Sequence, residues 1–334
     1  MTTVLVTEAA VTEAVDGREL IALDGSDGVV LRGTYHRDPR SAERIQDGPD
    51  RIGLLFLSGL NQTRAANGDA AIFWAESLAE QGYPSIRLDL PGFGDSAGDP
   101  PAETLAFINA GGYAPVASAA IGELVDQFRL SGVILVGHCT GTVSAIYTAA
   151  ANPHCKGLVL MDPIFFLPQT KVKILKIRRQ VHEWVLRFGL DAVLTAMYDL
   201  AKEIRLLVRG NAPPENANLP LLRRWKDVAS TGLPVLILRS PRRKPLGTKV
   251  RTGEFDYLRH IVTLAGRKSR IVVDVAEGAN HSFANLQGRA AVLRQVSAWL
   301  DTNFPLASRC NANAPAPQRE AGVAVGLAER PATC

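Results

Sequence analysis

The sequence predicts an α/β fold, a mostly parallel sheet with helices on both faces, and three observations carry that reading. Short apolar runs alternate with helix-like segments along most of the chain. One run, GVILV at residues 132–136, passes through Gly137-His138-Cys139-Thr140-Gly141 straight into a helix-like segment. The 334 residues, 46% hydrophobic and 21% charged, suffice to bury a large core without disulfide or metal staples.

Taken in order, Ser26-Asp27-Gly28 separates two runs, 19–23 and 29–35, that read as an opening hairpin. GLLFL at 53–57 is a buried strand that stops at Ser58-Gly59-Leu60-Asn61. A helix follows over 71–81, with Phe73 and Leu78 among small alanines, and Gly82 ends it. SIRLDL at 85–90 is the next strand, broken by Pro91-Gly92. One helix over 117–128 precedes GVILV, and another over 142–151 follows the glycine turn. GLVLM at 157–161, LPVLIL at 233–238 and RIVVDV at 270–275 supply the remaining strands. The closing helix, 290–300, sets Val292, Leu293, Val296 and Leu300 on one side.

Between Ile164 and Ser230 the alternation stops. Helices are expected there over 171–188, 191–209 and 221–230, with a Pro/Asn-rich break at 211–220, and they read as a helical cap inserted after strand six. The organisation is therefore a core in two parts, residues 18–163 and 231–305, a cap over 164–230, and a tail over 306–334 whose composition predicts disorder.

Composition excludes several classes. Twenty Pro and 29 Gly are near average usage, which rules out collagen-like and wholly disordered chains. No 18-residue apolar run occurs and the start lacks a basic region, so neither a membrane span nor a signal peptide is expected. Cys139, Cys155, Cys310 and Cys334 show no CxxC pair or metal spacing. That fits a reducing, cytoplasmic setting, with no metal or cofactor expected.

The net charge of +4 is unevenly spread. Residues 1–164 hold 10 Lys+Arg against 20 Asp+Glu, whereas 165–334 hold 27 against 13. Within the second half, 165–230 carries 12 against 6, and Arg239, Arg242, Arg243, Lys244, Lys249 and Arg251 follow with no acid among them. Such charge is either a set of solvated helix faces or a rim that steers an acidic partner. No nucleic-acid-binding fold or stacking pattern accompanies it, so nucleic acid is not expected.

G-x-C-x-G between a buried strand and a helix has the spacing of a nucleophile elbow, with Cys in place of Ser. A turn this sharp strains the dihedrals of the central residue and brings backbone close on both sides, so the flanking positions must be glycine. The sulfur then lies at a helix N-terminus, where the dipole and free N–H groups favour thiolate. A chance Gly-rich turn around a structural cysteine is the alternative, against which the flanking strand and helix weigh. Cys155 reads as a small buried residue or a surface thiol.

Together with LLFLSGLN, RLDLPGFGDS, GLVLMDP and GANHSF, the elbow makes residues 18–303 resemble the α/β-hydrolase superfamily. The resemblance implies the chain order nucleophile, acid, histidine, with Cys139 as nucleophile and His281 as general base. It also implies an oxyanion hole from the backbone N–H of Thr140 and one from the Gly59-Leu60 loop. Ser58-Gly59 stands where many members have His-Gly, which alters a side chain but not the donor. Asp95-Ser96 corresponds to the family's structural turn. His138 is a common second-position residue of the elbow, and His36, His154, His182 and His260 are expected in solvated roles.

Most members carry an Asp just after the seventh strand, but here the segment reads Arg239-Ser240-Pro241-Arg242-Arg243-Lys244. Asp162, closing GLVLM, is one candidate, and in that placement the chain resembles the thioesterase domains of polyketide and peptide synthetases. Asp256, 25 residues before His281, is another, with Glu254 beside it. Each also reads as a structural charge, at a strand end or a helix N-terminus. Asp162 is favoured because a strand end holds it on the catalytic side of the sheet. A site with no acid stays open, since thiols ionise more readily than hydroxyls.

Cysteine members of the superfamily include dienelactone hydrolases, polyhydroxyalkanoate synthases, carrier-protein acyl shuttles and Dieckmann-type cyclases of natural-product pathways. Thr140-Gly141 departs from the Gly-Gly of the polymer synthases, and dienelactone hydrolases are shorter and lack a large cap. The resemblance thus implies an acyltransferase or thioesterase acting on acyl carrier protein or CoA thioesters through an acyl-cysteine. A small-molecule ester or lactone hydrolase is the alternative. A non-catalytic hydrolase-like binding protein, prompted by the missing acid after strand seven, is the second.

Overall fold

The computed structural model describes residues 17–37, 51–168, 213, 216–241 and 257–306. Strands β1 (Arg18–Asp24) and β2 (Val30–His36) form the antiparallel opening hairpin. The chain continues through β3 (Ile52–Leu57), α1 (Ala70–Glu80), β4 (Ser85–Leu88), α2 (Thr104–Asn109) and α3 (Ala114–Gln127). Next come β5 (Gly132–His138), α4 (Gly141–Ala151) and β6 (Cys155–Met161). The remaining elements are α5 (Leu219–Ser230), β7 (Pro234–Arg239), α6 (Tyr257–Ala265), β8 (Arg270–Val275) and α7 (Leu286–Asn303). The eight strands lie side by side in the order β1-β2-β4-β3-β5-β6-β7-β8, parallel from β4 to β8.

β5 lies in the middle of the sheet and is buried at every position, as a parallel strand covered on both faces must be. Its alternate residues serve different layers. Ile134 and Val136 join Leu54, Phe56, Trp74 and Val296 between the sheet and the α1/α7 layer. Val133 and Leu135 join Leu55, Ile121, Ile146 and Trp225 on the α3/α4/α5 side. The period of two in a strand thus divides one apolar run between two cores.

The hairpin, the strands and most helices lie where the sequence predicts them, with shifted ends. α3 starts at Ala114 and takes a proline in its first turn, where a missing N–H costs nothing. α2 has no counterpart in the sequence reading and α6 only the helix N-terminus read at Glu254 and Asp256, because six and nine residues are too few for a helical period to stand out.

The helices expected over 171–188 and 191–209, and the tail from 307 onward, lie outside the described residues. The helix expected over 221–230 is α5, whose start is capped by the Asn218 side chain accepting the Leu221 N–H at 3.2 Å. Its apolar face, with Leu221, Trp225 and Val228, is buried in the core cluster. Trp225 Nε1–H donates to the Ile261 carbonyl of α6 at 2.8 Å. By its packing α5 belongs to the layer beside α4, where the sequence reading placed it in the cap. An amphipathic stripe shows that a helix has a partner, not which one. Among the described residues no helix is long and apolar enough to cross a membrane.

Candidate active site

β5 ends at His138 and α4 begins at Gly141, so two residues turn the chain. Cys139 takes φ 53°, a left-handed value costly for a non-glycine residue. The surroundings over-determine it. Its N–H donates to the Met161 carbonyl at 2.9 Å, and its carbonyl accepts the Thr142 N–H at 3.1 Å and the Thr142 hydroxyl. Space dictates the flanking glycines: a Cβ on Gly137 would stand 2.6 Å from the Gly141 carbonyl oxygen, and one on Gly141 would collide with the Leu57 carbonyl. Cys139 itself is left partly exposed. Cys155, by contrast, is buried, and burial pushes its thiol up to about 12.

Asp162 is the first residue after β6, at φ 45°, with its N–H donating to the Leu238 carbonyl of β7 at 2.8 Å. Its Oδ2 lies 2.9 Å from His281 Nδ1. Ser240, the first residue after β7, donates its N–H to Asp162 Oδ1 at 2.9 Å and its hydroxyl to Oδ2. Burial alone would push the carboxyl up. The hydrogen bonds from His281 and Ser240 outweigh it and hold the group below its ordinary range. The position after β7 thus holds a hydroxyl donor, and the carboxylate it serves comes from the neighbouring strand. Asp256 and Glu254 lie outside the described residues.

His281 sits in the loop between β8 and α7, its side chain 62% exposed. The hydrogen bond to Asp162 and then one to the Cys139 thiol push its pKa up to about 10, against the opposing effect of burial. At neutral pH the ring is therefore an imidazolium whose Nδ1–H donates to the carboxylate. The loop is held from behind by His138, whose Nε2–H donates to the His281 carbonyl at 2.7 Å. A carbonyl only accepts, so the tautomer follows; burial keeps this ring neutral by pushing its pKa down. His138 also meets Phe283 edge-on, with centroids 5.6 Å apart, and Phe283 is fully buried.

The sequence reading gave His138 no role. Only its place one residue before Cys139 hints at one. His36 is a correction: it is 1% exposed, accepts the Arg87 Nε–H at 2.9 Å, and has its pKa pushed down to about 3 by burial. A basic neighbour 51 residues away left no local trace.

The Gly59-Leu60 loop follows β3 and meets the elbow. Leu60 N–H donates to Thr140 Oγ1 at 2.6 Å. The two groups expected to share an oxyanion are thus joined through the Thr140 side chain. Further along the loop, the Arg64 N–H and guanidinium both bind Asp89, which is fully buried. Arg64 also pairs with Asp95 at 2.7 Å, and Asp95 N–H returns to Asp89 Oδ2 at 3.1 Å. The PGFGDS turn is therefore part of the scaffold that fixes this loop.

Among the described residues no group of three or more His, Cys, Asp or Glu could hold a metal ion. Of the basic residues in the second half, Arg223, Arg224 and Lys226 are exposed on α5. Those within 169–212 and 242–251 lie outside the described residues.

With an eight-stranded sheet, an elbow after β5 and a histidine after β8, the molecule has the α/β-hydrolase fold. The model of the alpha/beta hydrolase family matches residues 54–295, and the chain belongs to that family. No curated protein sequence matches it. Among solved structures it is similar to an esterase from Pyrococcus furiosus, with TM-score 0.55 and 15% identity over 85% of this chain and 90% of that one. It is also similar to DcsB, solved in complex with its substrate analogue, with TM-score 0.55 and 17% identity over 86% and 99%. The alpha/beta hydrolase GrgF from Penicillium sp. sh18 gives TM-score 0.53 and 15% identity over 86% and 99%.

Proposed function

We propose that this chain is a cysteine-dependent acyltransferase or thioesterase that draws acyl groups from acyl carrier protein or CoA thioesters. The observation that carries it is the series of hydrogen bonds from Ser240 through Asp162 to His281, beside the Cys139 elbow.

Cys139 reacts as the thiolate, the nucleophilic form of the side chain. The thiolate forms a bond to the thioester carbonyl carbon, and the C=O π pair moves onto oxygen. When this intermediate collapses, the substrate's own C–S bond breaks, and the departing thiolate takes the proton from His281. Neutral His281 then accepts a proton from water, an amine or an alcohol as that group attacks the acyl-cysteine, and Cys139 leaves as thiolate. The net result is one acyl group moved to the acceptor and one thiol released. Asp162 accepts from Nδ1 throughout and keeps the ring turned toward the sulfur.

Exchange of sulfur for sulfur is nearly neutral in energy, which favours a thioester donor over an oxygen ester. The excess of 27 Lys+Arg over 13 Asp+Glu in residues 165–334 supports a phosphorylated or acidic carrier. A carboxylate beside His281 weighs against the non-catalytic reading, which rests on a missing acid after β7.

Intact-mass spectrometry after mixing with an acyl-CoA tests the proposal. Wild type gains one acyl group and Cys139→Ala gains none; equal labelling of the two overturns it. A second reading, a small-molecule ester or lactone hydrolase, draws on the likeness to the Pyrococcus furiosus esterase. Turnover of a simple aryl ester with no acyl adduct from the thioester would favour it.

A further inference from the structure

Thr140 holds more unspent hydrogen-bonding capacity than a helix-start residue needs. Its Oγ1 accepts the Leu60 N–H at 2.6 Å, which leaves the hydroxyl proton free to be donated. Among the described residues no acceptor takes that proton, although Thr140 is only 5% exposed. Its backbone N–H, at the start of α4, likewise has no acceptor among them. Both donors sit on the residue that follows the nucleophile.

A third unpaired group lies close by. Gln62 Oε1 is buried without a partner, and a Cβ on Gly59 would stand 3.4 Å from both that atom and Thr140 Oγ1. Rotating the Gln62 amide would present N–H groups to the same space. Buried polar groups left unpaired are destabilising, and together these groups suit a polar atom of a ligand.

We propose that the oxyanion formed on Cys139 acylation is held by Thr140 twice, through its backbone N–H and its side-chain hydroxyl. Leu60 N–H then acts through the hydroxyl rather than on the substrate directly. This rests on the reading of Cys139 as the nucleophile. Accepting the Leu60 N–H polarises the O–H bond and strengthens it as a donor. It also fixes the hydroxyl before substrate arrives, so no reorganisation accompanies charge development. The rival arrangement is a hydroxyl that only fills the hole when empty and rotates away from Leu60 on binding.

Three variants, Thr140→Ser, Thr140→Ala and Thr140→Val, are compared by two reactions of Cys139. Acylation by an acyl-CoA builds an oxyanion. Alkylation by iodoacetamide displaces iodide at a saturated carbon and builds none. The Ala and Val variants are expected to acylate about 100-fold more slowly and the Ser variant within about threefold of wild type. All three should alkylate within about twofold of wild type. Undiminished or faster acylation of Thr140→Ala overturns the inference and identifies a placeholder hydroxyl. Parallel loss of alkylation also overturns it, by showing that Thr140 acts on the sulfur's position. A wild type that alkylates but does not acylate overturns the underlying reading of Cys139 as well.

Discussion

His281 Nδ1 meets Asp162 Oδ2 at 2.9 Å across 119 residues of sequence, and the ends of two adjacent parallel strands set the carboxylate's side of that contact. β6 delivers Asp162. β7 delivers Ser240, which binds both carboxylate oxygens. The carboxylate that meets His281 therefore stands one strand earlier than the place after β7, and a hydroxyl takes that place.

Replacing Asp162 by Asn keeps the shape but lets Nδ1 lose its proton to the wrong tautomer. Thioester turnover should fall about 10³- to 10⁴-fold in kcat. Asp256→Asn should stay within about twofold. Steady-state release of free thiol measures both, and the reverse pattern would move the acid to the segment before α6.

Ser240→Ala removes one donor from the Asp162 carboxylate but keeps the backbone N–H. A charge-assisted bond of this kind carries about 1.5–3 kcal/mol, so kcat/KM should drop by about tenfold or more. The sign of the pH effect follows from Asp162 being held below its ordinary range. Its contribution is lost as pH falls through the folded-state value, and weakening the anion brings that loss to higher pH. The acid limb of the kcat/KM profile should shift upward; an unmoved limb would count against the contact.

His281 carries the opposite sign. Its pKa rises from 6.5 to about 10 in the fold. The stability it adds is complete below its ordinary value and fades as pH climbs through the folded one. Urea unfolding of wild type and His281→Gln should differ most near pH 6 and converge near pH 10. A gap that widens with pH would contradict the imidazolium assignment.

His138→Phe preserves an aromatic ring against Phe283 but drops the bond to the His281 carbonyl. The expected cost is about 1–2 kcal/mol in denaturant titration. As a positioning residue it should lower kcat with KM little changed, and His138→Gln, which still donates, should recover part of the loss. Equal kcat in wild type and the Phe variant would remove His138 from the site.

The elbow was legible because its physics is local: strand, strained Cys139 and helix lie within one stretch, and the close backbone approach at Gly137 and Gly141 needs only near neighbours. α5 was legible as a helix but not as part of the core. Its apolar stripe is a property of twelve residues, whereas its contact with α4 depends on where β6 and β7 carry the chain.

The sequence by itself therefore determined the fold class and the strand series, and its local context singles out Cys139 and His281 as candidates. Tertiary structure alone decided which carboxylate faces His281, that Ser240 and His138 hold the pair, and that Thr140 Oγ1 takes the Leu60 amide. Periodicity and turn chemistry act between residues a few positions apart. The contacts that complete the site join residues 78 to 143 positions apart, and only the order of strands in the sheet brings those together.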